Sequence, residues 1–319
     1  MQRSASFRFS VSYVIKLLLL AAALELTPKY AVADATAVVH PRYGKRDIDF
    51  YDEAIADATR AIKLNPKDDA AYNVRGVNKV MGGNHKGAIS DYDQAIALNP
   101  KCNVYYHNRA MSKQETGDLT GAIADYSHAI ELAPRDGDEF IYRGTAKQDA
   151  GDLHGAIADC TRALELWPRD LYAYDVRSIA RYLNRDWPGA LADFKKYCDI
   201  SKGDELYAHL FIWIIQTRLG EKSAANGGLA IYAAKLSDQE EWSRGLTGYL
   251  LGKVPEAEVL RAASNSGMRC QAWFYIGMKK LLDGDKAAAA KDFKKCLATR
   301  RDNYGEYKCA KVELEGSAS

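Results

Sequence analysis

Small and apolar residues recur along this chain at an interval of 34. Ala54, Ala88, Ala122, Ala156 and Ala190 keep it without a slip, as do Ala61, Ala95, Ala129 and Ala163, with Tyr197 next in that series. The prolines Pro66, Pro100, Pro134 and Pro168 follow the same interval, and so does the small-residue set Gly76, Ala110, Gly144 and Ser178. Four registers in phase mark an internal structural repeat. Within each unit the pattern predicts two antiparallel helices. In one unit, helix A runs from about Asn103 to Glu115, Gly117 and Asp118 make the turn, and helix B runs from about Thr120 to Leu132. Pro134 ends helix B, because proline has no N–H to donate and disfavours helix in the residue before it. Small residues fall where the two backbones approach, Ala110 against Ala122, and an aromatic fills the gap beside them at Tyr92, Tyr126 and Phe194. One such hairpin cannot bury its apolar face alone, so each must stack on its neighbours. The expected fold class is all-α, a right-handed superhelical solenoid of helix-turn-helix repeats.

These residues resemble the tetratricopeptide repeat (TPR) family. The fourth repeat position is aromatic (Tyr72, Tyr106, Phe140, Tyr174), the eighth is small, the twentieth and twenty-seventh are alanine, and the thirty-second is proline. The resemblance covers Ile48 to Asp204 and returns from Cys270 to Asn303, where Trp273, Gly277, Gly284, Ala289 and Phe293 fit the pattern ahead of a capping helix from about Tyr304. Between them, Glu205 to Met268 keeps helical periodicity but loses the register, with Phe211 and Ile212 in place of an arginine and a small residue. Degenerate hairpins are expected there, broken at Gly227-Gly228 and at Gly252. The C-terminal third is also similar to NlpI-like periplasmic TPR lipoproteins, through the run Cys270 to Gly277, then Gly284-Asp285, then Glu306-Tyr307. That resemblance implies an adaptor that gathers other proteins at the cell envelope. The expected organisation is a leader over 1–33, a linker over 34–46, a repeat array over 47–204, degenerate hairpins over 205–268, and a last repeat with its capping helix over 269–319.

Charge and composition narrow the function classes. Lys and Arg total 44 against 42 Asp and Glu; the first 33 residues hold Arg3, Arg8, Lys16 and Lys29 but only one acid, Glu25. The remainder is near neutral, with its charges mixed along every helix, whereas nucleic-acid binding needs a basic stripe. Arg3 and Arg8, the apolar run Leu17 to Leu24 and the triplet Ala31-Val32-Ala33 read as an export signal with cleavage after Ala33. The apolar stretch is too short to span a bilayer, which takes about 20 residues. No cysteine precedes Cys102, so no thiol lies near the cleavage site for a lipid. The expected mature protein is periplasmic or secreted, without a stable membrane anchor.

Two further features repeat in phase. Helix A carries Arg75, Arg109, Arg143 and Arg177 where the TPR family usually has an apolar residue, and helix B carries Asp57, Asp91, Asp125, Asp159 and Asp193. A charge at a packed position needs a partner, since breaking a buried pair costs about 3–5 kcal/mol. A structural ladder of Arg and Asp is therefore expected, in preference to a row of arginines for anionic ligands. Pairing runs either from Asp57 to Arg75 in the next repeat or from Arg75 to Asp91 within one. The six cysteines allow 15 full pairings. If Gly277 and Ala289 touch across the last hairpin, seven residues back along helix A and seven forward along helix B bring Cys270 opposite Cys296. A disulfide is expected between them. Cys160 stands in for the packing aromatic of its repeat, and no CxxC pair supports a redox or zinc site.

No phosphate-cradling glycine loop, HExxH, GxSxG or Cys/His cluster is present, and the six histidines are scattered over the repeats. Neither an enzyme nor a cofactor is expected. A stacked array instead offers a concave wall of helix A side chains. The family register places Asn73, Val77, His107, Met111, Ile141, Thr145, Asp175 and Ile179 on it as exposed inner residues. A mixed polar and apolar wall suits an extended peptide or an amphipathic helix. Val77 and Met111 stand where carboxylate-clamp TPR proteins need asparagine, so that specificity is not expected. The expected function is an exported adaptor for protein or peptide partners. The alternative is a module for cell-wall glycan or peptidoglycan peptide, and the 20 tyrosines supply surface for self-association.

Overall fold

A computed structural model describes residues 48–202, 205–301 and 304–317; the expected leader and linker lie outside them. Among the described residues there are sixteen helices and no strand. The chain forms two compact units that divide between Ala173 and Tyr174.

The first unit holds α1 (Ile48–Leu64), α2 (Asp69–Met81), α3 (His85–Leu98), α4 (Asn103–Glu115), α5 (Leu119–Leu132), α6 (Gly137–Asp149) and α7 (Leu153–Leu166). These alternate as helix A and helix B, and α4 has the bounds that the periodicity predicts. The turns repeat as faithfully as the helices. Gly83, Gly117 and Gly151 sit at φ of 82°, 86° and 85°, a left-handed conformation that glycine adopts without a Cβ clash. Asn84, Asp118 and Asp152 follow them as N-caps, each side chain accepting from the backbone N–H three residues on. Ala88, Ala122 and Ala156 lose all their exposed surface, as do Tyr92, Tyr126 and Cys160 one turn further along helix B. The close approach is tight: a Cβ built on Gly76 would lie 2.6 Å from the Tyr92 ring. At Gly144 it would lie 3.0 Å from the Cys160 sulfur, so Cys160 does occupy the aromatic's place.

The second unit holds α8 (Leu171–Leu183, entered at Tyr174), α9 (Trp187–Ser201), α10 (Leu206–Arg218), α11 (Lys222–Ala233), α12 (Glu241–Leu250), α13 (Glu256–Ala262), α14 (Ser266–Leu282), α15 (Lys286–Ala298) and α16 (Gly305–Ser317). Its A helices turn inward onto one another. Tyr182 of α8 packs edge-on against Phe211 of α10 at 5.1 Å between ring centroids, and Phe211 meets Phe274 and Tyr275 of α14 at 5.7 and 6.3 Å. The register is lost around Phe211 because α10 is buried on most sides, through Ala208, Leu210, Phe211, Trp213, Ile214 and Ile215. Gly227 and Gly228 do not break a helix; they lie within α11. Their sides are exposed with nothing near a built Cβ, while Ala225, Leu229 and Tyr232 anchor the opposite face at helical spacing. Gly252 does turn the chain, at a φ of 73°. Arg185 occupies the left-handed turn position held by glycine in the earlier repeats, at a φ of 61°.

Candidate functional site

The charge ladder fixes how the helix pairs meet. In each of four repeats the arginine of helix A grips the aspartate of helix B in its own repeat with two parallel hydrogen bonds. The Nε donations run 3.0 Å for Arg75 to Asp91, 2.8 Å for Arg109 to Asp125, 2.9 Å for Arg143 to Asp159 and 2.9 Å for Arg177 to Asp193. Nη2 donates to the second oxygen of each. A second cation one helical turn further on closes the clamp: Lys79, Lys113, Lys147 and Arg181 reach the same aspartates at 2.7–2.8 Å. The fourth-position aromatic lies under the guanidinium, as with Arg75 over Tyr72 at 5.5 Å. The remaining Nη1 reaches back to the preceding helix B, from Arg75 to Thr59, Arg109 to Asp93 and Arg143 to Ser127. Each of these three arginines therefore ties three helices together, with Nε, Nη1 and Nη2 all engaged by protein partners.

Asp57 does not join this ladder. It pairs with Arg60 on its own helix, and the position sixteen residues before it is Pro41, outside the described residues. In the last repeat Ile276 stands where the arginine would be, and Asp292 is held instead by Lys280 and Lys295 at 2.7 and 2.9 Å.

The expected row of eight exposed inner residues is only partly exposed. Asn73, Val77, His107, Ile141 and Ile179 are buried, while Met111, Thr145 and Asp175 keep part of their surface in water. Neighbouring helices account for the burial. The Asn108 amide donates to Asn73 at 2.9 Å, and His107 Nδ1 lies 3.0 Å from Glu139 with its ring edge-on to Tyr126 and Tyr142. Ile179 belongs to the second unit, where Gly305 of α16 packs against it. The C-terminal helix thus occupies that part of the inner face. Its Glu313 accepts from Tyr182 at 2.7 Å and from Arg218 at 2.9 Å. Its Glu306 accepts from Tyr275 and Gln271, both at 3.1 Å.

In the first unit a different set of side chains lines the wall. Met111 packs against the clusters around both Tyr92 and Tyr126, Tyr142 stacks on Tyr126 at 6.1 Å, and Tyr172 meets Tyr142 at 6.2 Å. Tyr142 and Tyr172 remain partly exposed, as does Asp138. Asp138 and Tyr172 share the second register position of helix A, so the 34-residue period contained the signal that would have found them. Loss of water pushes the Asp138 carboxyl up to about 6, helped by the nearby charges of Asp136 and Asp170. Burial raises Asp136 and Asp170 as well. On the same unit Asp69 moves the opposite way: hydrogen bonds from Asn99 and Tyr105 outweigh its burial and lower it.

Cys270 and Cys296 face each other with their sulfurs 3.3 Å apart. Among the described residues no group of three or more His, Cys, Asp or Glu could hold a metal ion, and no helix is long and apolar enough to cross a membrane.

Family models of the tetratricopeptide repeat match residues 45–103, 104–136 and 143–205. A comparison with curated protein sequences yields no match. Among solved structures, a tetratricopeptide repeat protein from Parabacteroides merdae superimposes with a TM-score of 0.55 at 17% identity, over 85% of this chain and 93% of its own. PilW, a type IV pilus biogenesis factor, gives 0.51 at 21% identity, over 60% of this chain and 89% of its own. The APC/C hetero-tetramer Cut9-Hcn1 gives 0.51 at 12% identity, over 84% of this chain and 46% of that one. At these identities the likeness speaks for the fold.

Proposed function

Because the chain belongs to the tetratricopeptide repeat family, we propose that it is an exported adaptor, binding a protein or peptide segment against the helix A face of α4, α6 and the first turn of α8. The observation that carries this reading is the row of Met111, Tyr142, Thr145 and Tyr172, which keeps water contact on successive helices that the arginine ladder holds rigid. Partly exposed apolar and aromatic side chains on a fixed frame gain most from a partner that covers them. The carboxyls of Asp136, Asp138 and Asp170 lie at one end of this surface and favour a segment whose apolar anchors are flanked by basic residues. Binding, rather than catalysis, is the chemistry these groups offer.

Export and a periplasmic or secreted site rest on Arg3, Arg8, the Leu17 to Leu24 run and the Ala31 to Ala33 triplet. A role in gathering envelope or cell-wall enzymes rests on the NlpI-like run from Cys270 to Gly277. Met111→Glu with Thr145→Glu tests the reading, since it places charge on the wall and leaves the ladder intact. Tagged protein should recover defined proteins from envelope extract, and the double variant should lose them while keeping its helical circular dichroism. An unchanged set of recovered proteins, or sedimentation with purified cell wall alone, would refute it.

A further inference from the structure

We propose that Cys270 and Cys296 are the site of an intrachain disulfide that clamps α14 to α15 and is formed as that hairpin folds. Cys270 is the first residue of its repeat, and Cys296 stands where earlier repeats carry Ala95, Ala129 and Ala163. The two sulfurs lie 3.3 Å apart with no exposed surface on either residue. A disulfide bond is about 2.05 Å long, so small side-chain rotations bring the sulfurs into bonding range without moving the helices. The other cysteines are placed differently. Cys160 faces Gly144 in the first unit, Cys102 just before α4 and Cys198 on α9 are partly exposed, and Cys309 is buried on α16.

The oxidant is a low-molecular-weight or protein disulfide. A thiolate from one cysteine attacks it and displaces a thiol, and the second cysteine then attacks the mixed disulfide and displaces the other. One sulfur–sulfur bond forms, one breaks, and the two protons and two electrons lost by the cysteines end on the two released thiols. Exchange needs access, and both sulfurs are enclosed once the hairpin is packed. The reaction therefore accompanies folding, and the finished bond is shielded from reductants.

The clamp sits where it matters for the end of the chain. Gln271 and Tyr275, which donate to Glu306 of α16, lie within the first two turns after Cys270. A bridge across a separation of 26 residues also removes freedom from the unfolded chain.

The experiment is to refold the full chain in a mixture of reduced and oxidised glutathione, alkylate it denatured but unreduced, and map the peptides by mass spectrometry. The expected result is a Cys270–Cys296 linked peptide with the other four cysteines alkylated. Reduction should lower the thermal midpoint of the oxidised chain by about 5–10 °C. A Cys270→Ala, Cys296→Ala chain should show no such reductant-dependent shift. Six alkylated cysteines after oxidative refolding, or a link from either residue to a different cysteine, would overturn the proposal. So would an equal reductant-dependent shift in the double variant. If that variant does not fold, the peptide map of the unaltered chain still decides.

Discussion

The two units share a repeat grammar and use it differently. In residues 48–173 the inner side chains reach a neighbouring repeat: Asn73 meets Asn108, His107 meets Glu139 and Tyr142 meets Tyr172, at separations of 35, 32 and 30 residues. In residues 174–317 they cross the whole unit, from Tyr182 to Met278 and to Glu313, 96 and 131 residues away. The period sets where helices start, turn and stop. The size and polarity of the inner residues decide whether a helix A face becomes a wall with water on it or the core of a bundle. In the first unit Asn, His and Thr alternate with single apolar residues on that face. In the second, Phe211, Phe274 and Tyr275 pack on one another and lose all their exposed surface.

Breaking the second unit should be easiest at its centre. Phe211→Ala removes a side chain packed against Tyr182, Phe274 and Tyr275, and should cost about 3–5 kcal/mol. Four of the five tryptophans, Trp187, Trp213, Trp242 and Trp273, lie in this unit, so urea unfolding followed by fluorescence reports it. Met111→Ala in the first unit should leave that transition in place. Next in size is Asp125→Ala, which strands the partly buried Arg109 and Lys113. It should destabilise the first unit by about 3 kcal/mol, more than Lys113→Ala, which leaves the bidentate Arg109 pair whole. Hydrogen exchange of α4 and α5 measures both; equal losses would mean that the ladder is not what joins these helices.

A smaller effect is one of pH. The carboxyl of Asp138 is raised to about 6 in the folded chain from an ordinary value of 3.8. The fold therefore binds a proton more tightly than the unfolded chain does. Its favourable contribution is complete below pH 3.8 and is lost as pH rises through about 6. Moving from pH 5 to pH 7 should weaken the wild-type first unit more than the Asp138→Asn chain, as read by hydrogen exchange of α6. Identical pH dependence in the two chains would remove Asp138 from this role. Smallest is Arg185→Gly, which relieves a left-handed residue and should stabilise the second unit by about 1 kcal/mol. A loss of stability there would show that the Arg185 side chain does more than its backbone costs.

The repeat frame was legible because backbone events at Gly117, Asp118 and Pro134 depend on local chemistry that recurs every 34 residues. The Arg and Asp positions were legible too, but not their pairing direction, which depends on how far a guanidinium reaches across a helix gap. The inner face was harder. Register assigns Asn73, His107 and Ile179 to one face of helix A but carries no information about which neighbour covers them, and α16 could not be foreseen on Ile179. Gly227 and Gly228 were misread for a related reason: Ala225, Leu229 and Tyr232 hold α11 against the core strongly enough to override two weak helix formers.

The contrast between a wet wall and a sealed one is most directly tested by thiol labelling in the native state. Single cysteines placed by Met111→Cys and Met278→Cys occupy inner positions of the first and second unit, and mass spectrometry separates their adducts from those of the native cysteines. Met111→Cys should react with a maleimide within minutes at neutral pH, while Met278→Cys, at a site with no exposed surface, should stay unlabelled until denaturant is added. Equal labelling at the two sites, or protection of Met111→Cys in the isolated chain, would contradict the division of the molecule into an open binding face and a closed core.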